Sequence, residues 1–280
     1  MVSAADKAEI KKAKKLLEDP NFFIELANII GEPIEYIFNK LPSKVSQITS
    51  KAVEKSLWWA LEATLFTIDN DITSSASSNF HKVLAGISGG VGGFFGIAAL
   101  AAELPISTVV ILRSIVDIAR SEGEDIDLSE TKIECINVFA LSGTSSHDDA
   151  TETGYYATRT GLSKIVSEAS KYAAEELAKE GAKKAIEKAI QKKAAEKTSE
   201  KSIPILVKLI QKIAERFGLV VSNKVMAQLV PVAGAIGGAA INTLFIHHFQ
   251  NVARGHFIIR RLERQYGIEV VKEEYGKIKN

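Results

Sequence analysis

VLAGISGGVGGFFGIAALAA, residues 83–102, and VMAQLVPVAGAIGGAAINTLFI, residues 225–246, carry no formally charged side chain in a chain otherwise laced with Lys and Glu. Both read as helices that avoid water, in a buried core or in a membrane, so the remaining sequence must be organised around them. Each is just long enough to cross a bilayer, which takes about 20 apolar residues. In the first, Val83, Leu84, Ile87, Val91, Phe94, Phe95, Ile97 and Leu100 together supply only about 2.5 to 5 kcal/mol of insertion free energy. Against this stand Gly86, Gly89, Gly90, Gly92, Gly93 and Gly96, each costing up to about 1 kcal/mol in a helix. The balance is marginal. Gly86 and Gly90, Gly89 and Gly93, Gly92 and Gly96, and Gly234 and Gly238 repeat the spacing that lets two helix backbones approach closely, which suits a tight soluble core and lipid equally.

The surrounding composition is that of a folded globular chain: 46% hydrophobic, 25% charged, with a formal net charge of +1 over 280 residues. That near balance argues against a general nucleic-acid binder, which carries a marked basic excess. Cys135 is the single cysteine, which excludes an intramolecular disulfide and a cysteine-rich metal site and fits a reducing cytoplasm. The start, MVSAADKAEIKKAKKLLEDP, lacks the apolar core of a secretory signal. It is expected to form a short basic amphipathic helix over residues 1–20, ended by Asp19 and Pro20, ahead of one helical domain over residues 21–280.

The dominant period is helical, with no convincing alternation of apolar and polar residues, so the expected fold is all-α: a single domain with the two glycine-rich helices packed centrally. Asn21 is placed to cap a helix through Phe22, Phe23, Leu26, Ile29 and Ile30, and Ile34, Ile37, Phe38 and Leu41 resume the pattern after Gly31 to Pro33. Pro42 and Ser43 open a helix holding Val45, Ile48, Ala52 and the pair Trp58 and Trp59, which TSSASSN (residues 73–79) separates from the first glycine-rich segment. The tryptophans suit either a membrane interface or a core with the indole N–H satisfied. Pro105 is expected in the first turn of a further helix with Ile111, Leu112, Ile115, Ile118 and Ala119 on its apolar face. The acidic SEGEDIDLSE run then reads as a solvated turn, since it lacks the ligand spacing of a calcium loop, and Ser129 is a candidate cap for the helix after it. Residues 162–202, rich in Ala, Lys and Glu, read as a long amphipathic helical arm on the domain surface. Its Lys-dense half also suits an anionic lipid surface.

Three blocks closely resemble the EcsC family of bacterial proteins, named for an association with an ABC transporter operon: GGVGGFFGIAALAAELPISTVVILRSIVDIARSEGEDI, GYYATRTGL, and PVAGAIGGAAINTLFIHHFQNVARGHFIIRRLERQYG. With the amino-terminal helices the resemblance covers most of residues 21–267. It implies a loose link to membrane transport and secretion, and some descriptions of the family suggest a hydrolase or peptidase. Glu103 stands before Leu104 and Pro105 where the family often has aspartate.

Chemistry must be sought residue by residue. The glycine runs match neither a P-loop nor a dinucleotide fingerprint. HExxH is absent, and adjacent His247 and His248 cannot face one ion from a helix; His147, Asp148 and Asp149 read as a polar loop. No metal or other cofactor is implied. Asn242, Ile246, Phe249, Ala253, His256 and Arg260 step by three or four along one helical stripe. The family-matched polar residues Glu103, Arg113, Tyr156, Arg159, Asn242, His256, Arg260 and Glu263 must pair if buried. They suit ion pairs that hold the glycine-rich helices in register, or a ligand pocket in which Arg113, Tyr156, Arg159, Asn242 and Arg260 bind an anion such as a lipid head group. An acid/base pair of Glu103 and His256 requires the fold to bring the two together. The expected function is therefore a non-catalytic protein peripheral to the inner face of the cell membrane. It would bind lipid or a membrane protein such as a transporter, not nucleic acid, and support or regulate transport or secretion, with membrane insertion of the glycine-rich helices as one route. A soluble hydrolase using Glu103 and His256 is the alternative.

Overall fold

Apolar residues recurring every three or four positions commit almost every segment to helix. The computed structural model describes residues 2–18, 21–30, 43–66, 96–142, 154–179, 204–229 and 231–278. These form nine helices and no strand: α1 (Ala4–Leu17), α2 (Asn21–Ile30), α3 (Ser43–Phe66), α4 (Gly96–Ser121), α5 (Ser129–Leu141), α6 (Gly154–Lys179), α7 (Ile205–Leu229), α8 (Pro231–Tyr266) and α9 (Ile268–Lys277). The all-α single domain expected from the periodicity is what the chain adopts.

Helices α7 and α8 are the axis. Between them they touch all the other helices: α8 packs on α1, α2, α4, α5 and α9, and α7 on α2, α3, α4, α5 and α6. At 36 residues, α8 is about 54 Å long, so its two ends lie in different surroundings. Its middle is an aromatic core in which Phe245 and Phe249 meet Phe139 of α5 and Phe217 of α7, with ring centroids 4.9 to 6.2 Å apart. All four rings are fully buried. Helix α1 lies across the later part of α8, where Gly255 is required. A Cβ there would sit 2.7 Å from Cγ of Leu17 and 2.9 Å from the carbonyl oxygen of Ala13. Gly267, with φ of +88°, turns the chain from α8 into α9 in a conformation that L side chains resist.

Two local expectations are corrected, and a pair left open is divided. Pro105 does not open a helix; α4 runs unbroken from Gly96, with Pro105 inside it. In the turn after the ring, Ser107 and Thr108 donate their hydroxyls to the Leu104 carbonyl, at 3.1 and 2.7 Å, within a buried stretch. Ser129 is the first residue of α5 and not its cap, a position taken by Leu128 without a side-chain hydrogen bond. The tryptophan pair divides: Trp58 is 8% exposed in the core and Trp59 is 45% exposed.

The first glycine-rich segment up to residue 95, the pattern from Ile34 to Leu41, TSSASSN, the loop with His147, Asp148 and Asp149, and residues 180–200 of the Lys-rich arm lie outside the described residues. The second glycine-rich segment is helical over the end of α7 and the start of α8. Among the described residues, no helix is long and apolar enough to cross a membrane.

Candidate functional site

The later turns of α8 place His256, Arg260, Glu263 and Arg264 at intervals of three and four, on one face. Opposite stand the first turn of α6, with Tyr155, Tyr156 and Arg159, and helix α5, buried nearly all round, with Glu134 and Asn137 among its inward residues. The turn between α4 and α5 adds Glu124, and with it the cluster closes. Tyr156 donates to Glu263 at 3.1 Å, and Arg159 meets the same carboxylate oxygen at 2.7 Å. Arg260 sits between three carboxylates: its Nε reaches Glu124 at 2.9 Å, and its two terminal nitrogens reach Glu134 at 3.1 Å and Glu130 at 3.2 Å. Arg264 pairs with Glu124 from the other side and donates to the Glu122 carbonyl oxygen at 2.9 Å. Asn137 donates to Glu134 at 3.1 Å.

Burial pushes the Glu134 carboxyl up, but the N–H edge of the facing imidazole and the guanidinium charges of Arg260 and Arg159 together outweigh it and hold the group well below the usual carboxylate range. The same contest keeps Glu124 low, with Arg260 and Arg264 overcoming its desolvation. His256 is pulled the other way. Desolvation outweighs the attraction of Glu134, lowers its pKa and leaves the ring neutral. Tyr155 Oη and His256 Nδ1 are 2.9 Å apart, whereas Nε2 lies 3.4 Å from Glu134 in a geometry too poor for a hydrogen bond. A neutral ring in this setting takes the Tyr155 proton at Nδ1 and turns its Nε2–H toward the carboxylate.

Tyr155, His256 and Glu134 thus form a hydroxyl, imidazole and carboxylate in series, the order that acid/base chemistry uses. They are 3%, 0% and 7% exposed, and burial pushes the Tyr155 hydroxyl up, away from ionisation. So enclosed, the three side chains join α6, α8 and α5 to one another.

Glu103 is not at this cluster. It bonds Lys224 of α7 at 3.0 Å, and Lys224, wholly buried, also lies 4.7 Å from the centroid of the Phe245 ring. Phe245 precedes His256 by eleven residues of helix, about 16 Å. The acid/base pair of Glu103 and His256 is therefore not brought together. Desolvation lowers the Lys224 pKa against the pull of Glu103. Of the other residues expected to bind a ligand, Tyr156, Arg159 and Arg260 gather in the cluster, while Arg113 is half-buried on α4 with no hydrogen bond to another described residue. Asn242 lies half-buried on α8, with its amide oxygen buried and without a partner. An anion entering the cluster would have to displace Glu263 from Arg159 and Glu124 and Glu134 from Arg260.

Sequence reasoning missed Glu124, Glu134, Tyr155 and Lys224. Glu124 belongs to an acidic run that reads as a solvated turn, yet it is 9% exposed. Glu134 had a signal, a carboxylate inside the otherwise apolar IECINVF. Lys224 had one too, as the last charge before residues 225–246.

The fold and this cluster define a class: an all-α domain in which, among the described residues, the charged side chains of α8 form a buried ion network with neighbouring helices. The chain belongs to the EcsC protein family, whose model matches residues 5–262. The match takes in α1 and the Lys-rich arm, a wider reach at the amino end than the motifs of residues 21–267 implied. No curated protein and no solved structure matches the chain.

Proposed function

We propose that this protein is a non-catalytic component of the cytoplasmic membrane face, which binds lipid or a membrane-protein partner through its charge-free segments and thereby supports or regulates transport or secretion. The observation that carries this is the position of the Glu103–Lys224 pair. Glu103 is the residue immediately after the first charge-free segment and Lys224 the one immediately before the second, so a buried ion pair of 3.0 Å ties the borders of the two segments together. Two glycine-rich, charge-free stretches that start from one point are suited to act as a unit, with small residues allowing close approach to each other or to lipid. The arginines of the polar cluster support the non-catalytic part of the reading, because carboxylates from other helices already occupy them.

Flotation of the purified protein with neutral and anionic liposomes over a salt series tests the proposal, since salt screens surface attraction and leaves apolar insertion in place. Flotation that persists at high salt is the expected result. Absence of flotation with either vesicle at any salt would overturn it and return the soluble hydrolase to consideration.

A further inference from the structure

We infer that the outer face of α3 is the surface by which the protein rests on an anionic lipid leaflet, an inference that builds on the proposed membrane role. Along this helix the buried face carries Ala52, Val53, Leu57, Ala60 and Leu61. The opposite face presents Ile48, Lys51, Lys55 and Trp59, at steps of three, four and four. Such steps place all four side chains within a narrow stripe about 16 Å long. Ile48 is 38% exposed and Trp59 45%, and both lie on the same stripe as the two exposed lysines. Trp59 stands on the outer face while its neighbour Trp58 is buried, and the Lys55 ammonium lies 5.1 Å from the Trp59 ring centroid.

The chemistry of the stripe selects its partner. Two ammonium groups between an indole and a branched aliphatic side chain match the head-group layer of an anionic leaflet, where tryptophan settles with its ring in the interface and lysines meet lipid phosphates. Glu62, one turn beyond Trp59, ends the basic run.

The full-length chain supplies its own probes, because Trp58 and Trp59 are its two tryptophans. With vesicles of phosphatidylcholine and phosphatidylglycerol, the Trp58→Phe protein, whose one indole is Trp59, is expected to shift its emission to the blue and to be quenched by brominated lipid. Trp59→Phe, whose buried Trp58 remains, is expected to show neither change, which keeps the test valid should Trp58→Phe fold poorly. Lys51→Gln and Lys55→Gln are each expected to weaken vesicle partitioning about fivefold, by the loss of one cation at an anionic surface. If the wild-type protein floats while the Trp59 signal and both lysine variants stay unchanged, the α3 surface is wrong and the proposed membrane role stands. If the wild-type protein floats on no vesicle, both fail.

Discussion

From Pro231 to Ile246 helix α8 carries no charged side chain, whereas from Arg254 to Arg264 it carries four arginines and Glu263. The charge-rich end is cross-held from three directions, since α5, α6 and the turn before α5 each send carboxylates or phenols to it. Near the charge-free end, among the described residues, Glu103 of α4 pairs with Lys224 of α7. The contrast separates two jobs within one helix. Desolvated charges that are mutually paired resist rearrangement, because moving any of them strands the others. A segment with no charges and many glycines has nothing of that kind to lose on leaving its place. On the proposed function, rigidity belongs to the polar cluster and freedom to change surroundings to the glycine-rich end.

The largest way to break this comparison is at Arg260. Arg260→Met removes the guanidinium between Glu124 and Glu134, whose side chains are 4% and 10% exposed, and is expected to cost about 3–5 kcal/mol in urea unfolding. A loss under about 1 kcal/mol would show that the cluster is not the brace. At the other end, Glu103→Leu strands a wholly buried ammonium and is expected to cost about 3 kcal/mol. Here the double variant Glu103→Leu/Lys224→Met should recover most of that loss, since one pair can be replaced by apolar side chains. No comparable single rescue is expected for Arg260, which serves three carboxylates. Equal rescue at both ends would erase the distinction.

Gly255→Ala tests whether α1 belongs to the braced end. The new methyl group would meet Leu17 and the Ala13 carbonyl, and should cost about 1–3 kcal/mol and make the first seventeen residues sensitive to limited proteolysis. Unchanged protection of α1 would contradict this contact.

The smallest effect is a dependence on pH. His256 is held neutral in the fold, so its folded pKa lies below the ordinary 6.5. Below pH 6.5 the unfolded chain binds a proton that the folded chain refuses, so stability falls with pH from there down to the folded pKa. Glu124 and Glu134 act in the same direction at lower pH, as their depressed carboxyls lose their advantage below about 4.5. The thermal midpoint should therefore drop by a few degrees between pH 7 and pH 5, and His256→Asn should flatten that slope.

How far the sequence revealed all this depended on distance along the chain. Helical periodicity within a few residues is local, so the all-α fold and the stripe of Asn242 to Arg260 were legible. Helix continuity through Pro105 was not, because a proline inside a helix costs a backbone hydrogen bond and local rules therefore place it at a helix start, whereas tertiary packing carries α4 through it. The partners of Arg260 were illegible for a stronger reason. Glu124 and Glu134 lie 136 and 126 residues away, and no spacing rule reaches that far. Trp58 and Trp59 stood between these cases. Adjacent helical residues point about 100° apart, so one of the two had to leave the core face, and Trp59 shares its stripe with Lys51 and Lys55.

The division between a fixed end and a releasable end is tested most directly by peptide-resolved hydrogen exchange, on the full chain with and without anionic vesicles. Exchange over residues 83–102 and 225–246 is expected to change when vesicles are added, while peptides holding Glu134, Tyr155 and His256 keep the same protection. Unchanged exchange in the charge-free segments on bound protein, or opening of the polar cluster in their place, would contradict it.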